Sequence, residues 1–327
     1  MRILLALLLS AFALPALAAP GTLLVLNKAE NTVSLIDLAT KKSVATISTG
    51  EEPHEIAVSP DGKIAVVSNY GSSPTPGNTL TVIDVPAHKV LRTIDLAKHV
   101  RPHGIAWLRG NEVAVTTEGT KSLLIVDIAA GKVMAAIDTD QLGSHMVALA
   151  PAHDRAFVAN INDGSVSVID LKRQRRIANI ATGDGTEGIA ISPDQREVWV
   201  GNNDSNTLSI IDVASLKVVA TLPSKSFPIR LKFTADGKCV LVSNAQSGAV
   251  AVWDAATRRE LRRINMQEPK SSKWGAPIGI LVVAPLAQAF VATQSLDQIA
   301  VIDLKTSQVV DWLTAGHEPD GLGYSQL

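Results

Sequence analysis

One heptapeptide returns seven times, and no other feature constrains the fold of this chain as strongly. Asn31-Thr-Val-Ser-Leu-Ile-Asp37 comes back in variant form at 78–84, 121–127, 164–170, 206–212, 248–254 and 297–303. The closing Asp residues are 47, 43, 43, 42, 42 and 49 positions apart, the longer intervals holding insertions near 72–77 and 268–275. Self-similarity at this period marks a chain of stacked units, none of which can bury its apolar faces alone.

Each unit reads as four short strands separated by turn residues. In the second unit, His54–Ser59 is strand a and Pro60-Asp61-Gly62 a tight turn. Lys63–Asn69 is strand b, Thr79–Asp84 strand c and Lys89–Asp95 strand d. Four-stranded units rich in Val and Ile at this spacing predict an all-β, seven-bladed β-propeller. No helical periodicity long enough to build an alternating strand–helix barrel separates the strands. The chain opens on a b-like strand, Thr22–Asn27, with no strand a before it, and residues 318–325 match strand a and then stop. The C-terminal strand is therefore expected to complete the N-terminal blade and close the ring, leaving no open edge.

The segments Pro53–Asn69 and Asn206–Leu222 resemble the YVTN-type β-propeller repeat. The last two units, through Phe233-Thr-Ala-Asp-Gly-Lys238 and Ala276-Pro-Ile-Gly-Ile280, are similar to propellers associated with bacterial quinoprotein pathways. The resemblance implies the fold over nearly the whole chain, and a role accessory to a redox or catabolic pathway. It does not name a reaction, because this fold hosts binders, enzymes and scaffolds alike. Strand b usually closes on Asn in this repeat, as at Asn27, Asn69, Asn160, Asn202 and Asn244, and Glu118 and Thr293 read as the two departures.

Arg2, the apolar run Ile3 to Leu14 and Ala16-Leu17-Ala18 have the three-part pattern of a signal peptide. Residues 1–18 are expected to be removed on export to the periplasm, leaving the propeller at 19–327, with no membrane insertion. Thirty Lys and Arg against 31 Asp and Glu give no net pull toward nucleic acid. The basic runs at 172–176 and 258–263 then read as solvated charge on outer strands, and no nucleic-acid partner is expected. The single cysteine, Cys239, excludes an internal disulfide and reads as a small buried hydrophobe.

The seven recurrent Asp residues are expected to accept backbone N–H groups in the c–d turns rather than to form a site. The start of strand a, which lines the central channel, is more informative. In order around the ring this register holds Asp320, His54, His103, His145, Glu187, Ile229 and Ile278. Three of the chain's seven His fall there, on adjacent blades, flanked by two acids. Imidazoles with nearby carboxylates suit Zn²⁺, Cu²⁺ or Fe²⁺, so His54, His103, His145, Glu187 and Asp320 are the candidate metal ligands. Glu118, Arg101 and Arg230 are expected on the same face as cofactor-binding residues, with Trp274 on an insertion that could cover the mouth.

The reading is a periplasmic propeller that binds a metal ion, or a ligand held by one, at the channel mouth. Two alternatives stay open: a metal-dependent enzyme of the lactonase or lyase type, and a scaffold for a periplasmic protein partner.

Overall fold

The computed structural model describes residues 20–327; the expected signal peptide at 1–18 lies outside them. Seven four-stranded antiparallel sheets follow one another around a ring. Each innermost strand touches the next, and the last touches the first. Blades 2 to 7 are each four consecutive strands, whereas blade 1 joins both ends of the chain. Its inner strand is Pro319–Ser325, followed outward by Thr22–Asn27, Thr32–Asp37 and Lys42–Ser48. The closing pair runs from Thr22 opposite Ser325 to Asn27 opposite Pro319, with one register shift between Val25 and Asn27.

The core is not one nucleus but a set of apolar seams between neighbouring blades. Leu24, Leu26, Ile56, Val67 and Ile83 fill the seam between blades 1 and 2, and Leu23, Val25, Phe290 and Leu322 fill the one that closes the ring. This follows from the alternation in each b and c strand, whose two faces both meet another sheet, so that nearly every residue is apolar. Cys239 is half-buried beside one seam rather than fully inside, because it opens its strand.

The recurrent Asp residues cap the c–d turns as expected. Asp37 Oδ1 accepts the N–H groups of Ala39 and Thr40, and Asp84, Asp127, Asp170, Asp212, Asp254 and Asp303 do the equivalent. The first insertion lengthens a hairpin: strand b of blade 2 runs Ile64–Gly71 and strand c starts at Pro76, two residues and three residues beyond the bounds expected from sequence.

The outer strands carry a repeated device that the sequence alone did not reveal. In all seven blades the c–d register breaks around one residue: Val44, Leu91, Met134, Ile177, Val219, Leu261 or Val310. Each of these bulged residues is an exposed aliphatic. A bulge twists an edge and interrupts its row of hydrogen-bonding groups, which blunts pairing with another chain. Of the basic run at 258–263, Arg263 pairs within its own strand with Glu260, and Arg258, in the turn before it, pairs with Glu197 of the preceding blade. No helix among the described residues is long and apolar enough to cross a membrane.

Candidate metal and ligand site at the channel mouth

The ring register is built by a second bulge, this time between strands a and b. In every blade the a–b pairing skips the ring residue, as between Pro53 and Ile56, Pro102 and Ile105, and Ser144 and Val147. Freed from the ladder, that residue turns its side chain into the mouth. Backbone bonds then pin the d–a loop to the b–c loop: Tyr70 N–H donates to Glu52 O, Glu118 N–H to Arg101 O, and Asn203 N–H to Gly185 O. Hydroxyls tie neighbouring blades at the same level. Ser68 donates to the carbonyl of His103 at 2.7 Å, Thr116 to that of His145, and Ser243 to that of Ile278 at 2.8 Å.

The three imidazoles stand in a row and are all buried. The His54 and His103 ring centroids are 4.9 Å apart, and those of His103 and His145 are 3.7 Å apart. Tyr70 joins the cluster, 4.4 Å from the His54 ring and edge-on to His103 at 5.5 Å. Stacked at this distance, His103 and His145 cannot both carry a proton cheaply.

Carboxylates decide which one does. Glu118 accepts from His145 Nδ1 through Oε1 and from the Tyr70 hydroxyl through Oε2, the latter at 2.6 Å. His145 Nε2 stops 3.4 Å from Glu187 Oε1, close enough for charge attraction but too long for a good hydrogen bond. Glu187 in turn holds Asn203 and, at 2.7 Å, the buried guanidinium of Arg230. Arg230 reaches across the channel to Glu55 at 2.9 Å. A polar chain therefore runs Tyr70, Glu118, His145, Glu187, Arg230, Glu55 through five blades and back.

These environments separate the histidines. Burial, with Lys28 adding to it, lowers the His54 pKa to about 4. Burial and the neighbouring His145 hold His103 well below its usual range. Burial would lower His145 too, but its contacts with Glu118 and Glu187 outweigh that and raise it to about 9. His54 donates Nδ1–H to the Glu52 carbonyl at 2.8 Å, which leaves its Nε2 with a free lone pair.

Stability should then peak near pH 6.5, where both effects are satisfied. As pH falls from 6.5 toward 4, the unfolded chain takes protons at His54 and His103 that the folded one refuses, so stability drops. As pH rises from 6.5 through about 9, the proton His145 holds in the folded state is lost and its contribution goes with it. Each group changes stability by about 1.4 kcal/mol per pH unit inside its window. Urea unfolding at pH 4.5, 6.5 and 9 measures this; a midpoint that does not move between 6.5 and 4.5 would contradict the histidine environments.

The sequence-predicted residues separate into two groups. His103 and His145 converge with Glu118, one donor atom from each lying within 4.8 Å of the others. Glu187 is engaged by Asn203 and Arg230, while Asp320 stands buried across the mouth with Oδ1 unpartnered. Arg101 lies 5.0 Å over the Tyr70 ring and donates to the carbonyls of Ser72 and Ser73 in the first insertion. Trp274 is exposed and lies against Gly248, in the b–c turn of the preceding blade.

One alignment needs correction. The residue that closes strand b in blade 3 is Thr117, not Glu118; Thr117 takes the Asn place and donates to Ser122 O, as Thr293 does to Gln298 O. Glu118 is one position further on, where Lys28, Tyr70, Ile161, Asn203, Ala245 and Gln294 stand in the other blades. That register forms a second tier above the first and supplies Tyr70, Glu118 and Asn203. Tyr70, Asn203 and Glu55 were missed, although reading one residue past each strand b would have found the first two.

A family model for the YNCE-like beta-propeller matches residues 9–113 and 109–279. The chain belongs to that family. Among solved structures, hydrazine synthase from Kuenenia stuttgartiensis is similar at 20% identity and a TM-score of 0.71, over 82% of this chain and 88% of that one. A functionally unknown protein from Desulfotomaculum acetoxidans is similar at 13% identity and a TM-score of 0.75, over 93% of this chain and 99% of that one. At these identities both likenesses bear on the fold. No curated protein matches the sequence. Members of a propeller family share blades more closely than mouths, so the side chains described above carry the functional argument.

Proposed function

We propose that this YNCE-like propeller is exported to the periplasm and binds one transition-metal ion at its channel mouth through His103, His145 and Glu118. The observation that carries this reading is the convergence of one ligand atom from each of these three side chains to within 4.8 Å, in a cluster whose two imidazoles each keep one buried nitrogen without a hydrogen-bond partner. Buried polar atoms are rarely left unpaired without a reason, and a role as metal ligands is one. Ligands on a tetrahedral Zn²⁺ lie about 3.4 Å apart, so side chains already within 4.8 Å need only small rotations to close on it. Two His and one carboxylate leave open coordination positions, as suits Zn²⁺, Fe²⁺ or Cu²⁺ that must also meet a ligand. Tyr70, bonded to the far oxygen of Glu118, orients that carboxylate from behind. The test is metal analysis and titration of untagged protein purified from the periplasm, supplied in turn with Zn²⁺, Cu²⁺ and Fe²⁺. About one ion per chain with a raised melting temperature is expected; no stoichiometric ion and no thermal shift with any of the three would end the reading.

A second reading draws on the split between His54 and His145. A neutral imidazole in the same row as a protonated one, with His103 between them, is how a site assigns its base and its acid. A metal-free acid–base enzyme acting on a small molecule would keep its activity in chelator, which separates it from the metal reading.

A further inference from the structure

The half of the mouth away from the three-donor cluster has its own unmet demand. Asp320 is only 4% exposed, and its Oδ1 has no partner. The other carboxylates of the mouth are all held: Glu55 and Glu187 by Arg230, Glu118 by Tyr70 and His145. Burial raises the Asp320 pKa, with the charges of Arg230 and Lys28 acting against it, and neither of those forms an ion pair with it among the described residues, so the carboxylate ionises only at a cost that a cation beside it would offset. Beside it on the ring, His54 spends Nδ1–H on Glu52 and keeps a lone pair on Nε2. The two strands abut: a Cβ on Gly321 would sit 2.4 Å from the His54 carbonyl oxygen, so no larger residue fits there. On the other flank a Cβ on Gly279 would sit 2.1 Å from the Asp320 main-chain carbonyl, so the strand that carries Ile278 abuts that of Asp320. Ile229 holds the next ring position, so two successive places of the ring are aliphatic.

A buried carboxylate oxygen without a donor, an imidazole lone pair at the neighbouring ring position and isoleucines at the two positions on the other side match one ligand chemistry. We infer that this half of the mouth binds a primary alkylamine, its ammonium group between Asp320 and His54 Nε2 and its carbon chain along Ile278 and Ile229. An –NH₃⁺ group brings three donors, enough for both acceptors. Its charge offsets the burial of the carboxylate, which a hydroxyl of the same shape cannot do. The inference deepens the proposed function by naming the ligand class of the same mouth, but its residues are not those of the ion.

Calorimetric titration of the purified protein at pH 7.5 with n-butylamine and n-butanol tests it, in the presence and absence of Zn²⁺. Saturable binding of n-butylamine is expected, with none of n-butanol. Asp320→Asn should bind the amine at least tenfold more weakly and keep its metal stoichiometry. His103→Ala should do the reverse, losing the ion while holding amine affinity within about twofold. Affinity should rise from ethylamine to n-hexylamine, and Ile278→Ala should flatten that rise. The inference is overturned if n-butylamine does not saturate the wild-type protein with or without Zn²⁺, if Asp320→Asn binds it equally well, or if chain length makes no difference. Failure to bind metal alongside intact amine binding would remove the metal reading and leave this one standing.

Discussion

Deleting residues 319–327 is expected to abolish a stable fold at physiological temperature. Among the described residues the strand they form is the only partner of the inner edge of Thr22–Asn27, and it is the inner wall of its blade. Leu322 leaves the seam shared with Leu23, Val25 and Phe290, and the Tyr324 hydroxyl loses Pro20 O. Ser325, fully buried, loses its bond to Gly62 O in the neighbouring blade, so two blade interfaces open together. A truncated ring also exposes a full-length strand edge beside apolar faces, which invites aggregation. Total stabilities of about 5–15 kcal/mol leave no reserve for a loss of this kind. Circular dichroism and thermal melting of the truncated protein check it; a cooperative melt within about 5 °C of the intact chain would show that the ring does not depend on this clasp. A peptide spanning 316–327, added in trans, should restore part of the cooperativity, because the deleted contacts are those of a single strand.

His103→Ala is expected to lower metal affinity at least about 100-fold, since even partners behind a ligand are worth 10- to 100-fold. The metal-free protein should lose little stability, because the removed ring carries an unpartnered buried nitrogen whose burial was itself costly. Glu118→Gln separates the two properties. It too should weaken the ion, but it also strips the buried His145 imidazolium of its closest counter-charge, so the metal-free protein should be destabilised by about 3–5 kcal/mol. The pKa of His145, followed by NMR, should fall from about 9 in that variant and stay raised in His103→Ala. Equal stability of the two metal-free variants would mean that Glu118 does not hold His145 as described. Metal affinity of the wild-type protein should increase with pH up to about 9, because the ion must displace the proton that Glu118 and Glu187 keep on His145.

The blades, their number, the closure and the ring of His and acids were legible in the sequence, for one physical reason. A propeller repeats its backbone, so positions that match in sequence also match in height and radius, and a register can be read without knowing any distance. The same reasoning assigned the c–d turn Asp residues to their backbone partners, since those bonds span only two or three residues. What links one blade to another was not legible. Tyr70 bonds Glu118 from the next blade, Glu118 bonds His145 from the blade after, and Arg230 spans the channel between Glu187 and Glu55, 175 positions apart in the chain from the latter. Nothing in the repeat specifies those contacts, because they depend on how far each side chain reaches past its own blade. Placing Glu118 at the end of strand b, one residue early, concealed the second tier, since a single step along a strand reverses the direction a side chain faces. The sequence alone thus determined which residues hold the ring register of strand a; only the closed ring decided that His145 is the imidazole that keeps a proton, His54 and His103 those that cannot, and Asp320 the acid left without a partner, because burial and charge at each position are set by neighbours from other blades.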